Sequence, residues 1–431
     1  MTLTAAFAIR DITPAIGMDM PGGFSPRVST GVSMPLLARA AALENHDSGL
    51  VIIGVDAVSI NFSTANAIKA EISAATGVAP RRIAVAASHT HCGGPANAVL
   101  GTDANPAYLE QLVAGAAQAG ITAWRQRQPA TIATGSRDCP GWAFNRRWLG
   151  QDGKHHTNPG KCNPDMLHPV GPTDPEVAVI AIRDLNGNLL GMIANFTCHS
   201  TILWQNEFSP DYCGYWEKQL QARHGRNATL VFLNGACGDI NQIDFSTDGK
   251  REGGPQHAEK MAAALADAAD QALAGQPCNH DPVLAWAGAD VAISFRPLTP
   301  EQLAADRALA DSDAAWNAPK WQARDRLLLA QEINSRPAIP CPVDIYRIGP
   351  TAIAAAPWQP FCAFGLELKA VAPGHVMVAM LANGNIGYIP TPEAFVGGGY
   401  EPTHCRGSRH TPETGGSISQ ASQQLLKLVL K

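Results

Sequence analysis

Apolar and polar positions along this chain repeat with two periods. Short runs that are mostly apolar lie near residues 5–10, 37–44, 51–60, 83–87, 130–135, 176–183, 189–197, 229–233, 284–295, 343–348, 352–356 and 375–381, and predict strands. Stretches near 65–77, 106–125, 212–223, 255–274, 299–333 and 417–430 space their apolar residues as helices do. Strands interleaved with helices give an α/β class built on a large mixed β-sheet flanked by helices. The whole chain, 1–431, reads as one domain, with a two-helix insertion over 297–338 whose charges form a solvated face. Between Gly141 and Pro175 the periodicity stops. About thirty residues there are dense in turn formers and aromatics, and loops of such length are usually functional when ordered.

Composition narrows the class. With 431 residues, 45% hydrophobic and 16% charged, the chain has the balance of a globular protein with a large core. A net charge of −5 and basic clusters no longer than the pairs Arg81-Arg82 and Arg146-Arg147 argue against nucleic acid as a partner. The N-terminus lacks a secretory pattern and no apolar run reaches about 18 residues, so a cytoplasmic protein with no membrane partner is expected. Ten scattered cysteines without a CxxC pair read as reduced thiols. The expected partner is a small-molecule substrate; assembly into a homo-oligomer is left open.

Three apolar strands empty into polar turns. The run starting at Ile83 ends in Ser88-His89-Thr90-His91-Cys-Gly-Gly-Pro95, that from Leu189 in Cys198-His199-Ser200, and that from Thr229 in Asn234-Gly-Ala-Cys237-Gly238-Asp239-Ile-Asn241. Ligands of open α/β sheets bind beyond the carboxyl ends of strands, so these endings can share one site. In an extended segment His89 and His91 would face the same side. His89 and His199 make a plausible metal pair, because Zn²⁺ takes neutral imidazoles. In the aperiodic loop, Arg146 or Arg147 can clamp a carboxylate or polarise a carbonyl. Asp56, inside an apolar run, is too costly to bury unpaired and either orients a ligand histidine, meets an arginine or is hydrogen-bonded within the core. Tyr400, His404, Arg406 and His410 crowd a loop after Gly397-Gly-Gly399 that can fold over the site, and His155 and His156 are further candidates.

Taken together, these motifs resemble the neutral ceramidase family, in particular short bacterial proteins with the ceramidase N-terminal catalytic domain and no C-terminal immunoglobulin-like domain. The resemblance rests on Ser88-His89-Thr90-His91-Cys-Gly-Gly-Pro95, Phe144-Asn145-Arg146-Arg147, Phe196-Thr-Cys-His199, Asn234-Gly-Ala-Cys-Gly238-Asp239-Ile-Asn241 and Ile386-Gly387-Tyr388-Ile389-Pro-Thr-Pro-Glu393. It implies a zinc, or another divalent ion, on His89 and His199, with substrate contacts from His91 and Arg146 and a tyrosine of the metal shell at Tyr388. The chain departs from the family at two places. The family's metal-binding glutamate is matched by Gln359, a weak neutral ligand, and the serine of its Gly-Asp-x-Ser motif by Asn241, which cannot be a nucleophile.

The resulting expectation is a zinc-dependent hydrolase, ceramidase-like but not a ceramidase, cleaving an amide, lactam or ester bond in a small polar metabolite. Its catalytic groups would be His91, Arg146, Asn241 and Tyr388, its substrate contacts Arg147, Tyr400 and His404, and its metal ligands His89, His199 and Gln359. Two alternatives stay open: a lyase or isomerase acting on a sugar or polyol acid at the same metal site, and an inactive ligand-binding relative.

Overall fold

Alternation along the strand Leu37–Asn45 shows how the layers arise. Ala38, Ala40 and Ala42 point into one apolar cluster, Ala41 and Leu43 into another, so both faces of the strand are covered. The strand lies in an eight-stranded mixed sheet, ordered Thr229–Asn234, Leu189–Phe196, Glu176–Asp184, Gln128–Asp138, Thr4–Asp11, Leu37–Asn45, Ser48–Val55 and Ile83–Ala87. The first pair and the last pair are parallel, and the pairs between them antiparallel. A four-stranded sheet, Leu284–Ser294, Ala338–Ile348, Thr351–Ala355 and His375–Ala379, stacks on it through Leu43, Ile52, Ile180, Tyr346, Ile353 and Met377. Helices Phe62–Thr76, Pro106–Arg125, Tyr212–His224 and Pro255–Leu273 cover the outer face of the large sheet; Cys362–Ala370 and Thr414–Val429 cover that of the small one. The layers therefore run helix, sheet, sheet, helix. These coordinates are a computed structural model describing every residue except 1, 2, 24, 47, 250, 251, 314–316, 337 and 373.

The strand runs read from the pattern all fall in these two sheets, eight in one and four in the other. Periodicity did not separate the sheets, because both bury their shared face. The run 51–60 ends as a strand at Val55, and Asp56 leaves the sheet to accept from Arg39 at 2.6 Å. Arg39 also holds Glu217 at 2.7 Å, so a buried guanidinium joins the strand Leu37–Asn45, the turn at Asp56 and the helix Tyr212–His224. The stretch Gly141–Pro175 is ordered, with a three-stranded sheet of Met166–Pro169, Arg147–Gly150 and His155–Thr157. Its strands are too short to carry a hydrophobic period. The expected pair of helices appears as Pro300–Asp311 and Ala318–Ser335, each with proline in its first turn and capped by the side chain of Thr299 or Asn317. Residues 314–316 between them lie outside the described residues. Among the described residues no helix is long and apolar enough to cross a membrane.

Replacing Arg39 by methionine leaves two buried carboxylates without a counter-ion. Arg39→Met is expected to lower the unfolding free energy by about 3–5 kcal/mol, read as a fall in the urea midpoint; an unchanged midpoint would show that the triad contributes nothing.

Candidate metal centre

His89 leaves its strand in the left-handed region, with φ 67°, a conformation that costs a non-glycine residue free energy and is held by its surroundings. The segment is thus not extended at this point, and His89 and His91 meet for another reason than strand alternation. Their rings lie 4.9 Å apart, and His199, entering after Leu189–Phe196, brings its ring to 4.6 Å from that of His89. One ring nitrogen from each histidine falls in a group whose members all lie within 4.8 Å of one another.

Main-chain carbonyls set the orientation. His89 Nδ1 lies 2.7 Å from the oxygen of Val58, His91 Nδ1 3.0 Å from that of Gly22, and His199 Nδ1 2.9 Å from that of Ile240. A carbonyl can only accept, so each Nδ1 carries the proton and each Nε2 keeps its lone pair. Burial pushes the pKa of His89 down to about 4 and those of His91 and His199 well below the ordinary histidine value, with the charge of Arg146 adding to the effect. At neutral pH all three rings are uncharged. Gln359 sits across from them: its Nε2 is 3.1 Å from His89 Nε2 and 3.2 Å from His199 Nε2, donating to both lone pairs. Turning that amide over would present its carbonyl oxygen to the same two nitrogens' side. The buried Nε2 of His91 has no hydrogen-bond partner among the described residues. An orphaned lone pair beside two more, all on neutral rings, fits a divalent cation with nitrogen preference such as Zn²⁺.

Two short ladders bring in the remaining groups. Pairing of Gln359–Pro360 with Tyr388–Ile389 sets Gln359 beside Tyr388, and pairing of Phe144–Asn145 with Ile240–Asn241 sets Asn241 near the start of Arg146. Arg146 Nη1 lies 3.3 Å from His199 Nε2, while its Nη2 donates to the Gly238 carbonyl at 2.8 Å and to the Tyr388 hydroxyl at 3.1 Å. Its Nε donates to Glu401 at 2.8 Å. Glu401 is fully buried, and its other oxygen accepts from Arg147 and from Thr157. The two arginines and the burial shift the acidity of Glu401 in opposite directions; the net direction is down, which keeps it a carboxylate. Asn241 donates to Asn158 at 2.9 Å.

These groups open on a cavity of about 890 Å³. Of the expected residues, His89, His91, His199, Arg146, Asn241, Gln359, Tyr388 and Tyr400 line it; Arg147 and His404 do not. Arg147 turns to Glu401, the Gly398 carbonyl and His155, and supports the loop wall from behind. His404 packs beside Arg296 and Arg326, its pKa pushed down to about 4 by burial. His156 is bound to Asp152 and His410 faces the Ser294 carbonyl. Several wall residues escaped sequence reasoning: Gly22, Trp204, Trp321 and the supporting Glu401. Gly22, at φ 101°, lies so close that a Cβ would sit 2.4 Å from His91 Nδ1. Only its Gly-Gly setting marked it in sequence. Trp204, half-exposed, carries the Arg27 guanidinium 4.2 Å from its ring centre and stands 6.1 Å from His91.

No family model and no curated protein matches this sequence. Among solved structures it is similar to a neutral ceramidase from Pseudomonas aeruginosa, with a TM-score of 0.77 at 20% identity over 99% of this chain and 74% of that one. It is also similar to a ceramidase complexed with C2, with a TM-score of 0.76 at 18% identity over 99% of this chain and 75% of the other. The chain thus has a ceramidase-like fold, and on that fold it carries a three-histidine group able to hold a metal ion.

The tautomers are directly testable. Long-range ¹H–¹⁵N spectra of the metal-free protein at pH 6 are expected to show His89, His91 and His199 as neutral Nδ1–H rings, with His89 protonating only near pH 4. Titration of these rings at ordinary histidine values, about 6.5, would contradict the effect of burial, and Nε2–H tautomers would contradict the assigned hydrogen bonds.

Proposed function

We propose that this protein is a metal-dependent hydrolase that cleaves an amide, lactam or ester bond in a small polar molecule, with Zn²⁺ as the expected ion. The observation that carries the reading is the convergence of three neutral imidazoles, each fixed through Nδ1 to a main-chain carbonyl. His89, His199 and His91 would hold the ion, with Gln359 adjacent. Two imidazoles and an amide make a weak set, so His91 is assigned to the metal rather than to the catalytic and substrate-contacting role expected from sequence. Such an ion supplies Lewis acidity, polarising a carbonyl and bringing the pKa of a water it binds to about 7.

The protein's own groups do the rest. Arg146, held through two of its nitrogens by Glu401, Gly238 and Tyr388, aims Nη1 into the centre and stabilises negative charge developing on a carbonyl oxygen there. Tyr388, whose hydroxyl is fixed by Arg146 and whose acidity is weakened by burial, keeps its proton at neutral pH and can hand it to a leaving atom. Asn241 supplies an amide to orient the substrate, since it cannot attack it. The charged cavity wall at Asp325, Glu332, Arg406 and Arg409 is a poor surface for an acyl chain, which supports a polar substrate rather than ceramide.

Protein purified without added metal or chelator is expected to hold about one divalent ion per chain, lost in His89→Ala and in His199→Ala. On an amide and ester panel in ¹⁸O-labelled water, product should gain one labelled oxygen, and Arg146→Lys should lower kcat by about 10²–10³-fold with metal retained. An unlabelled, unsaturated product would replace the hydrolase by a lyase; a chain that takes up no metal would leave only ligand binding.

A further inference from the structure

The charges facing the cavity do not balance. Arg146, Arg336, Arg406 and Arg409 line it against two carboxylates, Asp325 and Glu332, in a chain whose net charge is −5. Both carboxylates are already engaged: Arg406 Nε donates to Asp325 at 2.6 Å, and Arg409 Nη1 to Glu332 at 2.8 Å. Deeper in, Arg146 shares the carboxylate of Glu401 with Arg147, so one buried anion faces two buried cations. The nearby buried acid Asp239 gives its oxygens to Asn145 and to the Cys362 amide and does not line the cavity. Gln359 matters here. Where a carboxylate would offset a cation on the histidines, this chain has a neutral amide, so an ion bound there adds to the same sign. Excess positive charge inside low-dielectric walls concentrates anions.

Free donors stand at the rim. The Arg336 side chain, at the end of the helix Ala318–Ser335, makes no hydrogen bond or ion pair among the described residues. Arg406, from the C-terminal loop, uses its Nε on Asp325 and leaves both Nη groups unengaged among the described residues. A guanidinium fork is shaped for a carboxylate, and neither needs to break an existing pair to bind one.

We infer that the substrate is a small anion carrying a carboxylate, and that Arg336 and Arg406 on the cavity rim bind that carboxylate. The inference rests on the hydrolase reading in taking the bound anion to be the molecule that reacts at the histidines. Carboxylate binding itself needs no turnover and can be measured separately.

The test is calorimetric titration of the full chain, as purified, with N-acetylglycine, lactate and gluconate, each paired with its neutral primary amide. At least one acid is expected to bind about tenfold or more tightly than its amide, and the preference should shrink as salt is raised. Arg336→Gln with Arg406→Gln should abolish most of that preference. Since Arg336 is exposed, Arg336→Gln alone is expected to fold normally and lose part of it. Acids and amides binding alike, no acid binding below about 10 mM, or a double variant that keeps the full preference would each overturn the inference. Acid-selective binding of N-acetylglycine, the one of these acids with a cleavable amide, and of the amide and ester panel, without any labelled-oxygen incorporation would sink the hydrolase reading while leaving the anion site. Hydrolysis that shows no preference for acids would do the reverse.

Discussion

Three carbonyl oxygens, those of Gly22, Val58 and Ile240, fix the chemistry available to this protein. Each takes the Nδ1 proton of one histidine, and together they leave an Nε2 lone pair on each of three rings grouped closely enough to hold one metal ion. The carbonyls come from three distant parts of the chain, so the centre forms only when the sheets and their connecting loops are in place. Its assembly also accounts for the left-handed backbone at His89, a cost that the surrounding hydrogen bonds offset. Burial then keeps the rings neutral, which is the state a metal ion requires.

A second constraint surrounds the first. The Glu401 carboxylate joins Arg146, Arg147 and Thr157, tying the Gly141–Pro175 stretch to the loop after Gly399. A buried carboxylate between two guanidiniums is stable only if its oxygens are fully used, and here both are. The same loop continues to Arg406 and Arg409, which dock by ion pairs onto the helix Ala318–Ser335. The helix thus becomes a cavity wall, and one loop carries both the carboxylate that holds Arg146 and the arginines that hold the helix.

Much of the framework was legible because its signals are local. Strand and helix periods are written in neighbouring residues, and the exits at His89, His199 and Asn234 pointed to one site because strand ends carry polar turns. What escaped depends on contacts far apart in sequence. Glu401 sits in an aperiodic glycine-rich loop, and nothing near it announces Arg146, 255 residues away. Trp204 and Gly22 acquire roles only by touching His91 or its neighbours. The charges of the two-helix stretch read as a solvated face, yet Asp306 and Asp325 are 2% and 3% exposed, buried by Arg326 and Arg406. An amphipathic period reports which side of a helix is apolar, not what a later loop will lay over its polar side. Likewise, the backbone turn within His-x-His escaped, because a positive φ is invisible in residue types other than glycine.

The central claim is that the three Nε2 atoms share one ion. The most direct measurement is a crystal structure of protein grown with zinc, with anomalous data collected on both sides of the zinc edge. The account predicts one peak bonded to His89, His91 and His199 through Nε2 at about 2.0–2.1 Å, with the Nδ1 contacts to the three carbonyls unchanged. An empty centre with zinc only on exposed residues such as His156, or coordination through Nδ1, would contradict it.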